Sequence, residues 1–340
     1  MKKVVVTGSE GFIGGYVVKE LLSKGYFVIG IDNFSKYGPI ERDHSSNKNF
    51  KLIEGDVKNN NLMYDALEGA DFLIAGAAMI GGISYFHEFA YDLLSENEKI
   101  ISVTTDNAIK RFKEGTLKRT IFLSSSMVFE SSDIFPTKES DITKTPPPIS
   151  SYGFQKLSVE YFAKAANEQY GLEYSIARQF NAVGIGELKT KSSKELSQSS
   201  KKLLLSHVVP DLILKILDSD GPIEILGKGN QIRHYTYGED LAKGICLLLD
   251  HPKAKNDDFN ISTDVSTSVL ELAELIWNKI KPKEDFQYKS INAFEYDVQK
   301  RIPSTEKAEK LLGFKAETSL DKMLDIVIPW MIDAREKGMY

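Results

Sequence analysis

The run Val4-Val5-Val6-Thr7-Gly8-Ser9-Glu10-Gly11-Phe12-Ile13-Gly14 constrains this chain more than any other. It reads as an apolar strand, a Gly-x-x-Gly-x-x-Gly turn and the start of a helix. Glycines allow the tight turn and let backbone N–H groups come close to a pyrophosphate at the helix N-terminus. Gly8, Gly11, Phe12, Ile13 and Gly14 are therefore the first candidates for dinucleotide binding. A strand–turn–helix of this kind needs a parallel sheet around it, and the following pattern supplies one. Lys3–Thr7, Phe27–Ile31, Lys51–Ile53, Phe72–Ala75, Thr120–Ser124 and Tyr174–Ala177 read as strands. Ile13–Ser23, Asn97–Phe112 and Tyr152–Glu168 read as helices between them. The alternation predicts an α/β fold, a doubly wound parallel sheet of Rossmann type, with its ligand at the carboxyl ends of the strands.

At 340 residues the chain is long enough for two domains or one large one, taking roughly 150 residues per domain. After Arg178 the pattern loosens, and Glu187–Lys202, rich in Ser and Lys, reads as an exposed loop. Helical patterns follow at Val208–Leu217 and Gly238–Leu249, and amphipathic helices from about Thr267 to Trp330. A net charge of −5 argues against nucleic acid as a partner. The single cysteine, Cys246, sits in the apolar run Gly244–Leu249 and reads as a small buried hydrophobe. No disulfide can form within the chain, which fits a reducing cytoplasm. The N-terminus carries no targeting pattern, and no apolar run approaches the roughly 18 residues of a membrane span. Nothing in the sequence calls for a metal.

The second strand ends Gly30-Ile31-Asp32-Asn33. A carboxylate there accepts from the adenosine ribose hydroxyls and repels a 2′-phosphate. No arginine follows until Arg42, so NAD is expected rather than NADP. Asn33 and Asp56-Val57, the latter just after the third strand, are expected at the adenosine end. Ala77, in the small-residue run Ala75-Gly76-Ala77-Ala78, suits close approach to the dinucleotide.

Tyr152 and Lys156 are four residues apart and so share one helix face. An ammonium there is expected to lower the proton affinity of the phenol, whose free pKa is about 10, making it a base for a sugar hydroxyl. The same spacing is common on helices with no catalytic role.

Together these features resemble the extended short-chain dehydrogenase/reductases that act on nucleotide sugars, the NAD-dependent epimerase/dehydratase family. The resemblance runs from Lys3 to about Phe314. Its other matching pieces are Leu123-Ser124-Ser125-Ser126-Met127-Val128-Phe129, Arg178-Gln179-Phe180-Asn181 and Arg233-His234-Tyr235-Thr236-Tyr237-Gly238. Arg301-Ile302-Pro303 and Leu311-Leu312-Gly313-Phe314 complete them. The resemblance implies that Ser125 hydrogen-bonds the reacting sugar oxygen, Tyr152 is the base, and Lys156 binds the nicotinamide ribose. It implies substrate contacts at Ser126 and Asn181 and a diphosphate clamp at Arg233 and Arg301. It also implies an NAD-binding unit of residues 1–180, to which 234–264 return, and a nucleotide-sugar-binding unit of 181–233 and 265–340. A homodimer through the helices Asn97–Phe112 and Tyr152–Glu168 is implied as well.

Departures from the family pattern narrow the chemistry. Related dehydratases carry Asp-Glu where this chain has Ser126 and Met127, so loss of water is not expected. Ala77 to Asn97 and Ser206-His207-Val208-Val209-Pro210 resemble segments of GDP-fucose synthase, but the cysteine of that enzyme falls at Met127, whose thioether carries no proton. His207 is then a candidate for substrate contact or proton transfer, against a purely structural role at a helix start. His87 is a candidate for sugar contact, against loop packing. The expectation is oxidoreduction at C4 of a nucleotide sugar, first as a 4-epimerase through a 4-keto sugar. The alternatives are net C4 oxidation of a GDP-sugar and GDP-sugar 3,5-epimerisation with 4-reduction.

Overall fold

The computed structural model describes residues 1–81, 89–188, 207–292 and 298–339. At its centre is a seven-stranded parallel sheet built from β1 (Lys3–Thr7), β2 (Phe27–Asp32), β3 (Phe50–Glu54), β4 (Phe72–Ala75), β5 (Arg119–Ser125), β6 (Tyr174–Gln179) and β11 (Asp257–Ile261). In space the order is β11-β6-β5-β4-β1-β2-β3, and the short strands β7 (Ala182–Val183), β9 (Ile232–Arg233) and β10 (Thr236–Tyr237) lie outside this sheet. The chain leaves β1 in one direction through β2 and β3 and returns to its other side at β4, so a crevice opens between the carboxyl ends of β1 and β4.

Burial on both faces of the sheet accounts for the valine run that begins it. Val4 and Val6 join one core, with Tyr16, Val17 and Leu21 of α1 (Phe12–Ser23) and Leu241 and Ile245 of a later helix, Gly238–Leu247. Val5, on the opposite face, joins Met63 of α2 (Asn60–Ala66), Ile101 and Ala108 of α3 (Ala90–Lys113), and Val159 and Ala163 of α4 (Ser151–Tyr170). A third core gathers α5 (Val208–Asp218), α6 (Gly238–Leu247) through neighbouring Tyr237, α7 (Val269–Ile280), α9 (Leu320–Glu336) and the short strand β8 (Ile223–Leu226) around Trp277. Helix α8 (Glu306–Leu312) and Phe314 pack back into the first core beside β11.

Six strands fall where the sequence places them. The seventh, β11, begins with two aspartates and carries no apolar run; ion pairs from Arg178 and Lys307 hold it instead. Helix α3 starts at Ala90 rather than Asn97, because Asn97 is a gripping residue within it and not a cap. Its side chain accepts from Met79 N–H at 2.7 Å and donates to Met79 C=O at 2.9 Å, fixing the segment after β4. His87 and most of the Ser/Lys-rich Glu187–Lys202 stretch lie outside the described residues. Among the described residues no helix is long and apolar enough to cross a membrane.

Candidate active site

One cleft of about 750 Å³ opens along the carboxyl ends of the strands. Its walls include the glycine turn, Asp32, Asn33, Asp56, Val57, Ala77, Ser125, Ser126, Tyr152, Lys156, Asn181, His207, Arg233 and Arg301. Side chains spread over three hundred residues of sequence thus share one space.

At one end Gly8, with φ +72°, turns the chain so that its N–H donates to Ile31 C=O at 2.8 Å. A Cβ on Gly8 would stand 3.0 Å from the Ala77 Cα, and one on Gly14 only 1.9 Å from the Gly8 carbonyl oxygen. Helix α1 is therefore seated directly on the turn, and its first turn carries no acidic side chain. A bare backbone cradle at an uncompensated helix N-terminus suits a pyrophosphate. Asp32 accepts from Glu10 N–H at 3.0 Å and Phe34 N–H at 2.8 Å. Burial pushes its carboxyl above the ordinary value against those two donors. Arg42, the first arginine after Asp32, donates to Glu10 C=O at 2.5 Å, so its guanidinium is engaged with the turn's backbone. These residues fit NAD.

Ser125 ends β5 and caps the short 3₁₀ turn Ser126–Phe129, accepting from Met127 N–H at 3.2 Å. Tyr152 lies in the first turn of α4, which Ser150 caps by accepting from Gly153 N–H at 2.9 Å. Glu130 accepts from both the Ser150 N–H and its hydroxyl, the latter at 2.6 Å. Glu130 thus braces the helix that carries the tyrosine. Burial raises the Tyr152 phenol, while a hydrogen bond with Ser125 and the charge of Arg301 pull it down. Lys156 is pushed down to about 8 by burial, and its ammonium donates to Leu123 C=O at 3.0 Å.

In this structure burial, rather than the Lys156 charge, sets the direction of the phenol's shift. The Lys156 nitrogen stands 5.9 Å from the Tyr152 ring centre, and both groups are too deeply buried for the pairing to outweigh lost solvation. Met127 packs beside Tyr152 and Leu93 as an apolar wall.

At the far end Arg233 donates to Ile232 C=O at 2.9 Å and the Arg301 backbone N–H donates to the same carbonyl at 3.1 Å, so the two arginines come from neighbouring segments, and both line the cleft. Asn181 holds a strained φ of +28° with its amide reaching His234 C=O at 3.5 Å. His234 itself is a framework residue, bonded to Thr263 C=O at 2.9 Å and Ser266 Oγ at 2.8 Å. His207 stands immediately before α5, and its Nδ1 is hydrogen-bonded to Glu187. Burial works to raise the Glu187 carboxyl, but the His207 charge and hydrogen bond, with Lys36, hold it below its ordinary value. Tyr235, within the matching run Arg233–Gly238, also lines the cleft, as do Lys36 and Tyr37, which no motif in the sequence marks.

The family model described as "NAD dependent epimerase/dehydratase family" matches residues 4–262. The chain is 28% identical to a putative UDP-glucose 4-epimerase of Methanocaldococcus jannaschii, over 96% of this chain and 98% of that protein. Its fold matches the crystal structure of UDP-glucose 4-epimerase from Thermotoga maritima with UDP-glucose. That likeness has a TM-score of 0.79 and 27% identity, and covers 98% of this chain and 99% of the other. It also matches a UDP-N-acetylglucosamine 4-epimerase from Methanobrevibacter ruminantium in complex with UDP-N-acetylmuramic acid, with a TM-score of 0.82, 26% identity and 98% of each chain covered. This chain belongs to the NAD-dependent epimerase/dehydratase family, extended short-chain dehydrogenase/reductase enzymes whose cofactor is NAD.

Proposed function

We propose that the protein interconverts the C4 epimers of a UDP-hexose through a 4-keto sugar. The Tyr152 phenol, once ionised, takes the proton of the C4 hydroxyl, and the Ser125 hydroxyl holds the same oxygen. When bound, NAD supplies the acceptor for the C4 hydride and the donor that returns it. Gly8, Gly11, Phe12, Ile13 and Gly14 cradle its pyrophosphate, Asp32 and Asn33 face its adenosine ribose, and Asp56, Val57 and Ala77 border the rest. Lys156 orients the nicotinamide ribose. Arg233 and Arg301 clamp the substrate diphosphate, where guanidinium geometry suits phosphate oxygens. Ser126, Asn181 and His207 contact the remaining sugar nucleotide.

The reading rests on one observation above all. Ser125, Tyr152 and Lys156 share a cleft with Arg233 and Arg301, while positions 126 and 127 hold a serine and a thioether. Neither side chain can act as the acid and base that water loss or epimerisation beside a ketone requires. The return of hydride to the opposite sugar face needs no further group. The UDP-sugar relatives favour uridine as the base.

A homodimer belongs to the same reading. Tyr91, Phe154 and Tyr161 on α3 and α4 are 79%, 48% and 67% exposed, an apolar face suited to a second copy. So does a division into an NAD-binding unit, 1–180 with 234–264, and a nucleotide-sugar unit, 181–233 with 265–340. Within 265–340, Ala308, Leu312 and Phe314 pack into the first core, which joins the two units.

The test is incubation of the NAD-loaded protein with UDP-glucose, UDP-N-acetylglucosamine and GDP-mannose, following NADH absorbance and product stereochemistry by NMR. A UDP-sugar C4 epimer without net NADH is expected. Stoichiometric NADH with no epimer would replace the reading with net dehydrogenation, and turnover of GDP-mannose alone would move the base to guanine. His207 with its Glu187 partner keeps one proton carrier in the cleft. Solvent deuterium at C3 or C5 would therefore point to epimerisation there.

A further inference from the structure

Ser125 and Tyr152 come from different elements, and what sets one against the other lies behind them. Side chains alternate along a strand, so Ser124 points away from the side taken by Ser125. Its hydroxyl donates to Glu160 Oε1 at 2.7 Å. Glu160 belongs to α4, the helix that carries Tyr152, one turn beyond Lys156. Arg178 of β6 donates to the same carboxylate through Nε at 2.7 Å and Nη2 at 2.6 Å. Its Nη2 also meets Asp258 of β11. Glu160 and Arg178 are both 0% exposed.

A charge pair buried this completely costs more in lost solvation than it returns in stability unless every lone pair is used. Here the fork is bidentate and Ser124 adds a third short bond to the carboxylate, leaving only Arg178 Nη1 without a hydrogen-bond partner, and three such bonds from three elements make the assembly stiff. We propose that Glu160, held by Arg178, is the positioning residue that fixes the Ser125 hydroxyl against the Tyr152 phenol, gripping Ser124 of β5 from the helix that bears the tyrosine. The inference rests on Ser125 and Tyr152 being the reacting pair. It adds that their separation is set from the hidden side of the sheet, not by contacts within the cleft.

The test uses NAD-loaded protein labelled with ¹³Cζ-tyrosine, the Tyr152 signal being assigned by its loss in Tyr152→Phe. Ser124→Ala should move that signal, and Ser124→Thr, which restores a hydroxyl, should return it. Ser124→Ala should also lower kcat for UDP-glucose on the order of tenfold, with KM and NAD affinity held and Tm lowered only by the one lost hydrogen bond. Glu160→Gln should move the same signal in the same direction. An unmoved Tyr152 signal, or a fall of kcat accompanied by weaker substrate and NAD binding, would overturn the proposal. If wild-type protein turned over no UDP-sugar, the proposed reaction would fail while the NMR comparison still decided the positioning role.

Discussion

Adjacent glycines in α1 should respond to alanine with opposite signs. At Gly14 a Cβ would meet the Gly8 carbonyl oxygen at 1.9 Å, the Gly8 carbonyl carbon at 2.9 Å and the Ser9 Cα at 3.0 Å. All three are backbone atoms of the turn and cannot rotate away. Restoring an ordinary contact of about 3.5 Å requires α1 to withdraw by roughly 1.5 Å. Overpacking usually costs about 1–3 kcal/mol, and rigid obstacles put Gly14→Ala near the upper end, about 3 kcal/mol. At roughly 2–4 °C per kcal/mol, Tm should fall by about 6–12 °C. NAD affinity should fall with it, because the withdrawn helix takes its first-turn N–H groups from the pyrophosphate. At Gly15 the nearest atoms to a Cβ are those of the Arg42 guanidinium, from 3.7 Å. Gly15→Ala should therefore gain the helix-interior preference of about 0.5–1 kcal/mol and raise Tm by about 1–4 °C, leaving NAD binding intact. Calorimetric melting and NAD titration of both variants decide the matter. Equal effects at the two positions, or a Gly14→Ala protein that melts and binds NAD like wild type, would refute the argument.

Lys156 gives a pH signature. The folded protein releases its proton at about 8, whereas the unfolded chain holds it to 10.5. Between these values the unfolded state binds more protons, so NAD-free wild type should gain up to about 3 kcal/mol relative to Lys156→Met as pH rises, as read by urea unfolding; a pH-independent difference would contradict the burial of that ammonium. Arg301→Ala should weaken UDP binding roughly ten- to hundredfold in calorimetry, the worth of a charged hydrogen bond, with NAD affinity unchanged; unchanged UDP affinity would remove Arg301 from the clamp. Tyr161→Glu should shift sedimentation from dimer to monomer, and a dimer that survives the added charge would lie elsewhere.

The sheet was legible because its inner strands are buried on both faces and so read as plain apolar runs. β11 was not, since Asp257 and Asp258 earn their place only through Arg178 and Lys307, which are distant in sequence. The glycine turn, Asp32 and the Tyr152–Lys156 spacing are local signals tied to backbone geometry, and they mark the cleft correctly. The net direction of the phenol's shift could not be read locally, because burial is set by Leu93, Met127 and the strands beneath. His207 and Lys36 approach Glu187 only after folding, as Glu160 and Arg178 come together behind Ser124. Their partners are fixed by sheet order, which no short motif encodes.

The central claim, hydride transfer to and from C4, is tested most directly with UDP-glucose carrying deuterium at C4 and NAD-loaded protein in ordinary water. The account predicts UDP-galactose with the deuterium still at C4 and no labelled reduced cofactor accumulating. Loss of the label to water, or its permanent retention on the cofactor, would contradict it.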